Sequence, residues 1–126
     1  MPDQEQHLEG GQLLVAISNQ IVGIFREFMG KGPDRCKTYW AGKDTVVVLL
    51  GGGYTLAEQT LFDAGSGSTV QASRHAIQQA LGSRMKRVVE ALTGREVVAF
   101  MSASHQNPDL SAELFVLAPT GESASL

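Results

Sequence analysis

Apolar residues recur at three- and four-residue steps through Leu13, Leu14, Ile17, Ile21, Ile24, Phe25 and Phe28, with Asn19, Gln20, Arg26 and Glu27 between them. A stripe with that period lies along one side of an α-helix, so the spacing predicts an amphipathic helix. Gly30 supplies a left-handed stop and Pro33 forbids continuation. The period then shortens. Cys36 to Ala41 alternates and carries Thr38, Tyr39 and Trp40, while Thr45 to Leu50 is a β-branched run. With the turn residues Ala41-Gly42-Lys43-Asp44 between them, the two segments predict a hairpin.

Beyond Gly51-Gly52-Gly53, Thr55 and Glu58 stand at capping-box spacing and open a short helix through Phe62 that halts near Gly65. A longer helix is expected from Thr69 to Leu92, with Val70, Ile77, Leu81, Met85, Val88, Val89 and Leu92 on one side. Gly82 in its middle predicts a bend or a close crossing. Arg95 to Ser102 and Leu110 to Ala118 form a second strand pair around a His105–Asp109 loop. The order α-β-β-α-α-β-β predicts an α+β two-layer sandwich: a four-stranded, mainly antiparallel sheet with helices on one face. We expect one domain with an ordered core over about 12–118 and loose termini at 1–11 and 119–126.

Val46-Val47-Val48-Leu49-Leu50 and Leu114-Phe115-Val116-Leu117 are apolar on both alternating sides, as in strands buried on both faces. Helices on one face leave the other open. The expected cover is a second copy in a twofold homodimer; the competing reading places both runs centrally under a folded-back first helix.

Composition narrows the function. The 126 residues carry 43% apolar and 18% charged residues and a net charge of -3, enough for a core and unlike the basic field of a nucleic-acid binder. Cys36 is the only cysteine, which excludes an internal disulfide or a cysteine zinc cage. Val46 to Leu50 is the best continuous apolar run, far short of the roughly 20 residues of a membrane span. Met1 to His7 is polar and acidic, unlike a secretory signal, so we expect a cytoplasmic protein.

No catalytic residue stands out. The triple glycine lacks the Lys-Ser/Thr of a P-loop, and Leu56 and His75 stand where a dinucleotide fingerprint needs a small and an acidic residue. His7, His75 and His105 lack partners at metal-ligand spacing, so neither metal nor cofactor is expected. Gly30-Lys31-Gly32-Pro33-Asp34-Arg35 offers close backbone approach and positive charge. Gly30, Lys31, Gly32, Arg35 and His105 are therefore the candidate anion-binding set, against a helix stop with a basic rim. His105 with Asp109 is either an acid–base pair or a self-bonded turn. Cys36 is either a thiol activated by basic neighbours or a small buried strand residue. Arg74, Arg84, Lys86, Arg87 and Arg95 give the long helix and its end a basic tint, either a solvated face or a surface for an acidic partner or a membrane.

Three segments carry a family resemblance in their order and spacing: Gly30-Lys31-Gly32-Pro33 through Thr38-Tyr39, Gly53 through Leu61, and Leu92-Thr93-Gly94-Arg95 through Met101-Ser102. The last continues into His105, Asn107-Pro108-Asp109-Leu110 and Glu113-Leu114-Phe115-Val116-Leu117. Together they resemble the MpsC-like family, named for the C component of a sodium-translocating, membrane-potential-generating system. Leu56 replaces the proline usual in the family, and Ser, Gln and Arg replace some acidic residues of the middle helix. The resemblance implies an accessory or regulatory role beside a bacterial membrane transport component, through protein–protein contact, for a protein peripheral to the inner membrane. It transfers no catalytic residue. The alternative is a small-anion sensor, with an enzyme third.

Overall fold

The computed structural model describes residues 9–120. The elements are α1 (Gly10–Met29), β1 (Arg35–Trp40), β2 (Thr45–Gly51), α2 (Leu56–Asp63), α3 (Gly67–Thr93), β3 (Val97–His105) and β4 (Leu110–Leu117). The strands form one antiparallel sheet in the order β1-β2-β4-β3. The expected α+β class and element order hold. Most of each expected loose end, His7 included, lies outside the described residues.

The apolar period explains the first layer. Leu13, Ile17, Ile21 and Phe25 are the buried side of α1, which packs on β1 and α3. Gly30 ends the helix at φ 79°, its N–H returning to the Arg26 carbonyl at 3.0 Å. On α3, Val70, Leu81, Met85 and Val89 are buried and the helix packs on β3. Its 27 residues span about 40 Å. Gly82 is a close crossing: a Cβ there would come within 3.0 Å of the Phe100 ring. On α2, the Thr55–Glu58 capping box is complete in both directions, at 3.1 and 2.9 Å.

Several boundaries differ from expectation. α1 starts at Gly10 and α3 at Gly67, because leading glycines and serines at helix starts give no apolar signal. β3 runs on to His105, since Ser102 and Ser104 read as turn formers but alternate inward.

Register divides the sheet into two unlike faces. Toward the helices lie three cross-strand rows: Trp40–Val46–Phe115–Phe100, Thr38–Val48–Glu113–Ser102 and Cys36–Leu50–Ser111–Ser104. Val46, Val48, Leu50, Phe115 and Leu117 join the helix residues in one core. A folded-back α1 does not cover the far side; it shares the near side with α3.

The triple glycine has a structural reason. Gly53 sits at φ +90°, and a Cβ on it would lie 2.8 Å from both the Gly32 carbonyl oxygen and Pro33 Cα. Gly65 also has positive φ, +81°, but open space around it. Alanine at Gly65 should therefore cost about 1 kcal/mol of backbone strain, while alanine at Gly53 should cost roughly 3 kcal/mol or more because backbone must move. Urea unfolding of the two variants checks this, and equal losses would contradict it.

Candidate functional site

Two features have the makings of a site, one on each side of the sheet. The first is the face away from the helices. Its central row is Tyr39–Val47–Leu114–Met101, flanked by Lys37–Leu49–Ala112–Ala103 and Thr45–Val116–Ala99. Met101 is 54% exposed, Tyr39 44% and Leu49 40%. Apolar side chains in adjoining rows on all four strands make a contiguous patch, which is the kind of surface that contacts something.

The second is a small cavity of about 30 Å³ between the end of α1, the glycine turn after β2 and the middle of α3. Phe25, Met29, Pro33, Leu50 and Ile77 form its apolar wall; Lys31, Arg74, Gln78 and Ser111 are its polar groups. Arg74 is held on every side. It donates to Glu58 Oε2 and Oε1 at 2.9 and 3.0 Å, to Asp109 Oδ1 at 3.5 Å and to the Gly53 carbonyl at 3.3 Å. Its guanidinium also lies 4.4 Å over the Tyr54 ring. Burial would raise the Glu58 pKa, but the bidentate arginine and the capping N–H outweigh it and leave it below the usual value. Asp109 is pushed up by burial despite Arg74.

Behind the cavity runs a buried polar chain. Ser104 Oγ donates to Gln78 Oε1 and Gln78 Nε2 donates to Glu113 Oε2, both at 2.9 Å. Ser18 and Thr38 pair their hydroxyls at 2.8 Å between α1 and β1. Glu113 Oε1 and the hydroxyl of Ser111 meet no partner.

The structure separates the expected anion-binding residues. Gly30 is the helix cap, Gly32 packs against Val22 and Arg26, and Lys31 lines the cavity. The Arg35 guanidinium lies against Gly51 on the far side of the sheet. His105 ends the same cross-strand row, Arg35–Gly51–Leu110–His105, three strands away. Nor do His105 and Asp109 pair: His105 Nδ1 is 2.9 Å from the Pro108 carbonyl, and Asp109 serves Arg74. Cys36 is a part-buried strand residue whose thiol donates to the Ser18 carbonyl at 3.8 Å, and burial pushes its pKa up, the opposite of activation.

Arg74 reads from the sequence as part of a solvated basic face, yet it belongs to the packed side of α3. The signal was there: Val70, Arg74, Gln78 and Leu81 follow helical steps, so Arg74 and Gln78 interrupt an apolar stripe. Arg95, grouped with it, instead ties the β1–β2 turn to the end of β4, contacting Asp44 and donating to the carbonyls of Lys43 and Ala118. Among the described residues no group of His, Cys, Asp and Glu could hold a metal ion, and no helix is long and apolar enough to cross a membrane.

Glu113 is fully enclosed, and burial pushes its pKa from 4.5 up to about 7, only partly offset by Ser102 and Gln78. Between those pH values the unfolded chain releases a proton that the folded chain keeps. Stability therefore falls as pH rises from about 4.5 to 7 and levels off above, a loss of roughly 3 kcal/mol for this group. Relative to the parent chain, Glu113→Gln should gain about that much over the same range in urea unfolding; a pH-independent difference would contradict it.

The model of the family described as "Na+-translocating membrane potential-generating system (MpsC)" matches residues 9–119, from the start of α1 past the end of β4. No curated protein and no solved structure matches the chain. With nearly all of its described residues matched, the chain belongs to the MpsC family.

Proposed function

We propose that this chain is an accessory module of a sodium-translocating, membrane-potential-generating system and that it acts by protein–protein contact through the open sheet face. The observation that carries this reading is the apolar row Tyr39–Val47–Leu114–Met101, left bare while both long helices occupy the other side. The family description supplies the system. No described helix can cross a bilayer, so ion movement belongs to another component. The module works on the cytoplasmic side and reaches the membrane through that partner.

The first cover of the face is a second copy. A twofold stacking sets the central rows of two sheets against each other, as in a sandwich of aligned sheets. Its size sets the strength. Four strands about 4.8 Å apart and six residues at about 3.4 Å give roughly 400 Å² in projection, against about 800 Å² per partner for a standard stable interface. Such a homodimer is reversible, and the same face can exchange its copy for the membrane component.

Leu49 and Met101 are exposed, so Leu49→Glu and Met101→Glu should leave the fold intact while placing a charge in the contact. In a strain that depends on the system, complementation with either variant should give the low sodium-dependent membrane potential of the deletion strain, read with a voltage-sensitive dye. Full potential with both variants would overturn the proposal.

A further inference from the structure

The open sheet face carries a charge pattern as well as an apolar row. Side chains alternate along a strand, so this face takes the odd-numbered residues of β1, β2 and, from Ala99 on, β3, and the even-numbered residues of β4. Among them stand two full cations, Arg35 and Lys37, and no aspartate or glutamate. In a chain of net charge -3 that makes the face an exception. Neither cation is neutralised: among the described residues the ion pairs belong to Arg74 and Arg95. Lys37 is exposed, with its Nζ 5.7 Å from the center of the Tyr39 ring. Arg35 lies across β2 because Gly51 has no side chain there; a Cβ would come within 2.6 Å of the guanidinium. The carboxylates of Asp34 and Asp109 are taken up elsewhere, Asp34 against Gly52 in the turn and Asp109 on Arg74. A second copy brings the same cations and no carboxylate, so self-association leaves Arg35 and Lys37 without a counter-charge.

Building on the reading of this face as the contact surface, we propose that the membrane component meets it with an acidic amphipathic helix. A helix is what covers the sheet's other side. Its apolar stripe lies on Val47, Leu49, Leu114 and Met101. Two carboxylates at i and i+4, about 6 Å apart, meet Arg35 and Lys37, which stand about 7 Å apart along β1. A second copy lacks those contacts, so the acidic helix displaces it from the face. Anionic lipid fits less well, because two cations fall short of the clusters of about four to eight that hold a protein to such a surface, and the net charge opposes it.

The test titrates the full chain into two fluorescently labelled helical peptides of about 18 residues, followed by anisotropy. The twins share one leucine stripe and differ only in carrying glutamate or lysine pairs at i and i+4. The glutamate peptide should bind roughly tenfold or more tighter than its lysine twin. Arg35→Gln and Lys37→Gln should each weaken the glutamate peptide roughly threefold. Both positions are exposed, so the fold survives the change. Self-association of these variants in sedimentation should be no weaker than the parent's, since a second copy offers no carboxylate to lose. Leu49→Glu should abolish both contacts. With self-association of the parent chain intact, three results would each overturn the acidic helix and leave the contact face standing: no saturable binding of the glutamate peptide, equal binding of the twins, or undiminished binding by both glutamine variants. Phosphatidylglycerol vesicles that bind the chain while the glutamate peptide does not would overturn it in favour of lipid. A parent chain that neither self-associates nor binds either peptide would overturn the contact face itself, and this assignment with it.

Discussion

Packing of Val46, Val48, Leu50, Phe115 and Leu117 against α1 and α3 uses one side of the two central strands and, by the alternation of a pleated chain, sends Val47, Leu49, Leu114 and Val116 to the other. Each fully buried aliphatic or aromatic side chain contributes roughly 1.5–3 kcal/mol, so the helix side alone supplies an ample core. The far side contributes nothing comparable while it faces water. Its apolar residues are therefore a surplus from the standpoint of folding, and the account of function rests on that surplus.

The ends of the sandwich are secured by polar means. Arg74 joins the start of α2 and the β3–β4 loop at one corner, and Arg95 joins the β1–β2 turn to the end of β4 at another. Between them the helix-facing side of the sheet is not uniformly apolar: Thr38, Glu113 and Ser102 make a polar row across three of the four strands, met by Ser18 and Gln78 from the helices. Such a row is costly where a group goes unmatched, and Glu113 keeps its proton into the neutral range as the cheaper alternative to a bare buried carboxylate.

Much of this was legible beforehand. The helix stripe from Leu13 to Phe28, the capping box at Thr55 and the two hairpins are local signals, and each became the expected element. So did the open face, because Val46 to Leu50 and Leu114 to Leu117 announce two apolar sides whatever covers them. The cavity was not legible. Lys31 stands out in the sequence for its charge and glycine neighbours, but its companions Arg74, Gln78 and Ser111 come from α3 and β4, brought together by the crossing of α3 over the sheet. Charge groups Arg35 and His105 with Lys31 in the sequence, but strand alternation sends both to the far face. Sequence proximity cannot express which side of a sheet a residue takes when an element's first residue is uncertain by one.

The central claim is that the far face of the sheet is a contact surface, and sedimentation of the purified chain tests it most directly. The account predicts reversible self-association in the micromolar range that a single glutamate at Leu49 abolishes without loss of helix content. A parent chain that stays a compact monomer at hundreds of micromolar would contradict it.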